Sequence, residues 1–132
     1  MTIAFLLVDI QNDYFPGGTM ENVGASAAAS EAAKLLAPNS FKETPLLEHL
    51  RNASISRLLI AGMMTHMCID TTTRAAADLG FSCSVAHDAC ATRTLSFNGV
   101  QVPAEHVQTA YLAALNGLFA HVASTSALLS DP

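Results

Sequence analysis

The stretch LLIAGMMTHMCIDTTTRAAADLGF, residues 58–81, decides the fold of this chain. It begins as a short apolar run, passes a glycine and continues as a polar, alanine-rich segment that a second glycine ends. The run predicts a buried strand over Leu58–Ala61, and the segment after it predicts a helix from about Cys68 to Leu79. A cysteine used only for packing would sit inside either element, so a thiol at their junction indicates another use.

The segments on either side of this stretch repeat the alternation of strand and helix. Apolar runs predict a buried first strand at Ile3–Val8, a third at Ser82–Ala86 and a short fourth at His121–Ser124. Helices are predicted at Ser26–Ala37, from Thr44-Pro45 to about Asn52, and from about Pro103 to Phe119. This order is typical of an α/β fold with a mostly parallel sheet.

Composition limits the class of protein and the kind of partner. The chain has 132 residues, 51% of them hydrophobic and 13% charged, which predicts one packed domain over residues 1–132. A net charge of −5 without a Lys/Arg run argues against nucleic acid or an anionic membrane as a partner. The N-terminal apolar run is too short to span a membrane and lacks the basic residues of a signal peptide. Three cysteines, an odd number, then favour reduced thiols in the cytoplasm.

Polar residues follow the first three predicted strands. Asp9 ends the first strand, Met64 to Cys68 follow the second, and His87-Asp88 follow the third. Ligands of open α/β sheets bind at the carboxyl ends of the strands, so these groups are candidates for one site. As the first residue of a helix, Cys68 would face the positive end of the helix dipole and free N–H groups, which favour a thiolate. The position suits a nucleophile.

Three segments resemble the isochorismatase-like cysteine hydrolases, a superfamily that includes nicotinamidases and carbamoyl-amide hydrolases. They are LLVDIQNDYFPGG at residues 6–18, the stretch at 58–81, and VAHDACATR at 85–93. The resemblance implies a doubly wound α/β fold with helices on both faces of the sheet. It also implies a small-molecule substrate, no cofactor and a homo-oligomer. Metal-binding members of the family take their ligands from a region that this chain lacks, so no metal is predicted.

The resemblance assigns roles to individual residues. Asp9 would be the base that takes the thiol proton, and Cys68 the nucleophile. The bond between Met63 and Met64 would be cis, and the N–H groups of Met64 and Cys68 would form an oxyanion hole. Phe15 and Met63 would contact the substrate.

The chain departs from the family pattern at the third catalytic residue, a lysine. In the family this lysine precedes the position of Pro38 by three residues, where this chain has Leu35. Lys34 belongs to the predicted first helix, and Lys42 lies beyond the motif. The junction of Ala37 and Pro38 resembles an internal deletion, which would leave about four strands and make the first an exposed edge. Two hypotheses therefore stand: a cysteine hydrolase, or a catalytically impaired remnant with a structural or oligomerising role.

Several residues also have simpler interpretations. Without the surrounding motif, Cys68 would be interpreted as a small buried hydrophobic residue. We interpret Cys83 and Cys90 as structural. His66 and Cys68 could ligate a metal in a small metal-binding domain, but H-x-C without further ligands is a weak pattern, and a loop histidine is the better interpretation. His87-Asp88 fits either support of the site or a turn at a strand end.

Overall fold

The computed structural model of the protein describes residues 3–8 and 38–130. Within these residues the main sheet has four parallel strands in the order β1-β2-β3-β6, and a separate antiparallel pair forms a hairpin. The predictions of an α/β fold, a mostly parallel sheet and about four strands are confirmed. Within the described chain, β1 is an edge strand, as the departure from the family pattern predicted.

The elements follow one another along the chain with short connections. The strands are β1 Ile3–Val8, β2 Arg57–Met63, β3 Ser82–Ala91, β4 Leu95–Phe97, β5 Val100–Val102 and β6 His121–Ala123. The helices are α1 Leu46–Asn52, α2 Asp70–Asp78, α3 Ala104–Leu115 and α4 Thr125–Ser130, and a π-helical turn at Thr65–Ile69 runs directly into α2.

The core lies between one face of the sheet and the helices that follow β1 and β2. Because strand side chains alternate between faces, Leu58 and Ile60 of β2 point to the same side as Cys83 and Val85 of β3. These side chains are almost fully buried. They form one cluster with residues of α1, the π turn and α2: Leu50, Ile69 and Ala76.

The opposite face of the sheet is covered differently. Leu128 of α4 lies beside Leu59 and Ser84, so a helix is present on this face too. Towards the edge strand the face is open: Ile3 and Phe5 of β1 are 42% and 58% exposed. The sheet is therefore well covered near β3 and exposes apolar side chains near β1.

Three predicted boundaries were wrong. The helical segment begins at Thr65, because a π turn precedes α2, so Cys68 lies inside that turn instead of opening the helix. β3 continues to Ala91, and a register shift against β2 accommodates His87-Asp88 within the strand. The helix predicted to reach Phe119 ends at Leu115, where Asn116 turns to an extended conformation.

The β4–β5 hairpin was not predicted, although its signal is present in the sequence. Asn98 and Gly99 form the two-residue turn, both at positive φ, which is the preferred geometry for tight hairpins. Cross-strand pairing places Leu95, Phe97, Val100 and Val102 on one face. Phe97 and Val100 are 77% and 64% exposed, so the hairpin presents an apolar face to solvent.

Candidate active site

The turn that carries Cys68 follows directly from β2. A cis peptide bond joins Met63 and Met64, as the resemblance implied, and the extended Met64 then leads into the π turn. The Met64 carbonyl accepts hydrogen bonds from the N–H groups of Met67 and Ile69, at 2.9 and 3.3 Å. The N–H of Cys68 lies between these two donors in sequence and takes part in neither bond.

The end of β1 lies against the start of this turn. Val8 pairs with Gly62 across the parallel ladder. Gly62 has a φ of +126°, and a β-carbon there would stand 2.2 Å from the Val8 carbonyl oxygen. Only glycine fits such an approach between two backbones. The carboxyl end of β1 is thus held beside the two methionines that precede the Cys68 turn.

Cys68 is partly exposed at this edge. Cys68 is a free, half-buried cysteine, and its neighbours Met63 and Met67 are 47% and 36% exposed. Met64 is half-buried. The predicted site residues Met63, Met64 and Cys68 are therefore together at the carboxyl end of β2. Asp9 and Phe15, also predicted for the site, lie outside the described residues.

The other two thiols have different surroundings. Burial raises the pKa of the Cys83 thiol to about 11, and Cys83 belongs to the core cluster. Burial also raises the pKa of Cys90, a partly buried residue that pairs with Gly62 across the sheet. Both environments disfavour the thiolate, which is the reactive form.

Two side chains fasten the Cys68 turn to the end of β3. The hydroxyl of Thr65, a fully buried residue, donates to the Ala91 carbonyl at 3.1 Å. The His66 Nδ1 atom lies 2.5 Å from the Thr92 hydroxyl oxygen. The His66 ring also meets the Tyr111 ring of α3 edge-on, with centroids 6.1 Å apart. Burial, and secondarily the charge of Arg93, lowers the pKa of His66, which favours the neutral imidazole.

A third contact anchors the segment where the described chain resumes. The hydroxyl of Thr72, a fully buried residue of α2, donates to the Pro38 carbonyl and accepts from the Ser40 N–H, each at 3.1 Å. Thr72 lies one helical turn after Cys68, so Pro38 is held close to the helix that extends the Cys68 turn. This contact gives a structural role to one of the three consecutive threonines at 71–73.

Polar groups expected near the third strand have structural partners. Asp88 accepts hydrogen bonds from the Thr125 N–H and hydroxyl at 2.8 and 2.7 Å, at the start of α4. The Thr125 hydroxyl and then its N–H lower the pKa of Asp88. On α2, Arg74 pairs with Asp70 at 2.9 Å and stacks over the Phe119 ring at 4.3 Å. Since His87-Asp88 lies within β3, the interpretation of this pair as a turn at a strand end is wrong, and the contacts of Asp88 connect β3 to the start of α4.

The described residues contain no group of three His, Cys, Asp or Glu side chains placed to hold a metal ion. His66 has Thr92 as its hydrogen-bonding partner. Within the same residues, every helix is too short or too polar for a membrane span.

Comparison with known proteins identifies one family. The model of the isochorismatase domain matches residues 36–127. The uncharacterized isochorismatase family protein YddQ of Bacillus subtilis is 37% identical over 179 positions, which cover 98% of this chain and 99% of YddQ. Since this chain has 132 residues, at least 47 of those positions have no counterpart in it.

Solved structures give the same result. An isochorismatase-hydrolase homologue from Oleispira antarctica superposes with a TM-score of 0.77 at 39% identity, covering 98% of this chain and 96% of that one. An isochorismatase from Pseudomonas putida KT2440 superposes with a TM-score of 0.74 at 25% identity, covering 95% and 89%.

Proposed function

The chain belongs to the isochorismatase family of hydrolases, and on this premise we propose that it is a single-domain cysteine hydrolase with Cys68 as nucleophile and Asp9 as base. The observation that carries the proposal is the position of Cys68. Cys68 is a half-buried residue in the first turn of the helical segment that follows β2 at the carboxyl edge of a parallel sheet, and the end of β1 pairs with Gly62, six residues before it. Asp9 directly follows Val8, the residue that contacts Gly62.

The proposed reaction is hydrolysis of a small amide, or of a related C–N or ether bond, through a covalent intermediate. Asp9 takes the thiol proton, and the thiolate of Cys68 attacks the substrate carbonyl carbon. The N–H groups of Met64 and Cys68 stabilise the negative oxygen of the tetrahedral intermediate. For an amide, protonated Asp9 gives this proton to the leaving nitrogen, so the intermediate expels the neutral amine and leaves a thioester, which water hydrolyses to release the acid and the free thiol. Met63 and Phe15 contact the substrate.

Selective alkylation tests the nucleophile separately from turnover. At neutral pH, iodoacetamide should modify Cys68 faster than Cys83 and Cys90, because burial disfavours the thiolate at both of those positions. Peptide mapping after timed labelling measures the three rates. Equal, slow labelling of all three cysteines would remove the nucleophile from the proposal. Turnover of simple amides such as nicotinamide, abolished by Cys68→Ala, would establish the hydrolase.

A specific observation also favours the second candidate, a catalytically impaired member of the family. YddQ has at least 47 aligned positions without a counterpart here, and Leu35 stands where the family pattern has its lysine. A carboxylate beside a thiol without a cation disfavours a second negative charge. Loss of one oxyanion donor alone costs about a hundredfold to a thousandfold in rate. We therefore expect weak turnover from the 132-residue chain, and robust turnover would refute the argument from the lysine.

We further propose that the chain forms a homo-oligomer in a reducing compartment such as the cytoplasm. The apolar face of the β4–β5 hairpin supports self-association, because Phe97 lies on it largely exposed and the face carries no charge that would repel a second copy. Phe97→Asp should then lower the mass measured by light scattering, and Ser96→Asp, on the polar face of the same hairpin, should not. Equal masses for both variants would place any interface elsewhere.

A further inference from the structure

We propose that His66 and Thr92 position the nucleophile: their side-chain contact holds the π turn in the orientation that Cys68 requires. The inference rests on the proposed role of Cys68, and it uses a histidine to which that mechanism gives no part. His66 precedes Cys68 by two residues. Side chains two residues apart on a helix point to different sides, so His66 acts on Cys68 through the backbone of the turn.

Residues at the end of β2 and in the π turn contact the end of β3 in the order in which they follow one another in the chain. Met63 pairs with Ala91 in the sheet, Thr65 donates to the Ala91 carbonyl, and His66 reaches Thr92. Three of the five residues before Cys68 are thus fastened to two successive residues of the neighbouring segment. This attachment fixes both the position and the rotation of the turn relative to the sheet.

The backbone of the turn explains why it needs such support. A π turn is rarer than an α-helical one and occurs mostly as a single turn within helices, often at functional sites. Here the Met64 carbonyl is shared by the N–H groups of Met67 and Ile69. A rearrangement to a regular helix would change which N–H groups remain free beside Cys68. The hydrogen bond between His66 and Thr92 opposes that rearrangement, on the side of the turn where the His66 ring meets Tyr111.

Matched substitutions separate positioning from general packing. Thr92→Val removes the hydroxyl at nearly constant shape, and Thr92→Ser restores it. His66→Phe keeps an aromatic ring against Tyr111 without Nδ1, and His66→Asn restores a polar atom near the Nδ1 position. The readout is the rate of Cys68 alkylation by iodoacetamide at neutral pH, with the melting temperature measured on the same samples.

We expect Thr92→Val and His66→Phe each to slow Cys68 alkylation about threefold to tenfold, the factor that corresponds to one net hydrogen bond. Thr92→Ser and His66→Asn should stay within about twofold of the wild type, and the double variant should be no slower than either single one. A lower melting temperature with an unchanged Cys68 rate in the folded variants would overturn the proposal and leave only a structural contact. If Thr92→Val or His66→Phe fails to fold, the other substitution and its matched restoring variant test the proposal by the same comparison of alkylation rates.

The result is distinguishable from failure of the proposed function. The positioning role of His66 and Thr92 is tested by how their substitution changes the rate of Cys68 alkylation, a measurement that requires no turnover. The hydrolase is tested by turnover of the wild-type chain and its loss in Cys68→Ala. A chain that turns over no amide but shows the expected pattern of alkylation rates would retain the positioning role and lose the hydrolase. Where turnover exists, Thr92→Val should lower kcat with little change in KM.

Discussion

Replacing Gly62 with alanine tests how closely β1 approaches the turn that carries Cys68. Gly62 has a φ of +126°, and an added β-carbon would lie 2.2 Å from the Val8 carbonyl oxygen and 2.9 Å from its carbon. The backbone conformation alone costs alanine about 1–3 kcal/mol. Forcing a methyl group into a packed site adds about 1–3 kcal/mol. The two backbones must also separate by more than about 1 Å, because the added carbon would stand only 2.2 Å from the Val8 oxygen.

Gly80→Ala is the matched control for this substitution. Gly80 also has a positive φ, +90°, but a β-carbon there would have no atom within 4 Å. The control therefore measures conformational strain without the contact to β1. The difference between the variants, about 1–3 kcal/mol in the free energy of unfolding, corresponds to a Tm lower by roughly 4–12 °C for Gly62→Ala.

Urea denaturation and thermal melting of the two variants measure this difference. The rate of Cys68 alkylation in the folded Gly62→Ala protein then reports whether a displacement of β1 also changes the Cys68 turn. Equal stability of Gly62→Ala and Gly80→Ala would show that β1 does not press on Gly62 in solution, and the proposed approach of Asp9 to Cys68 would lose its structural support.

Two further substitutions test contacts around the site. Thr72→Val should lower the free energy of unfolding by about 1–2 kcal/mol, because it removes the two part-buried hydrogen bonds that Thr72 makes to Pro38 and Ser40. Thr73→Val should be nearly neutral in urea denaturation, since the buried Thr73 hydroxyl has no partner within the described chain; equal losses would contradict the role of Thr72. Asp88→Asn should lower Tm at pH 7, and the gap to the wild type should close below about pH 4. The hydrogen bonds from Thr125 depress the pKa of Asp88, so its stabilisation is present above the unfolded-state pKa and is lost as pH falls through the folded one; a gap unchanged at pH 2.5 would refute this.

The sequence predicted the four strands of the main sheet and the position of Cys68 between β2 and α2, because those features depend on local patterns. Continuous apolar runs are enough to indicate strands buried on both faces, and Gly80 indicates where α2 stops. The π turn could not be predicted, because one helical turn of THMCI has no periodicity that separates it from an α-helix. The hairpin was predictable from Asn98-Gly99 between alternating apolar residues.

The contacts that position the site depend on residues far apart in the chain. Thr72 and Pro38 are separated by 34 positions, and His66 and Thr92 by 26. No local propensity relates such pairs, so His66 was interpreted as a loop histidine, and its hydrogen-bonding partner was unknown. The structure supplies the partner, Thr92, and this contact is the basis of the positioning role proposed for His66.

The strand order has a consequence for how chemistry and selectivity are divided within the protein. In open parallel sheets the ligand crevice forms where the strand order reverses. Among the described strands the order β1-β2-β3-β6 follows the chain without reversal, and β1 stands at the free edge. Under the proposed function, the described residues supply the side of the crevice that carries the Cys68 turn, and the facing wall lies outside them. The reaction type then depends on the Cys68 turn, and the choice of substrate depends on the facing wall. Exchanging the facing wall would change the preferred substrate while the Cys68 turn stays the same.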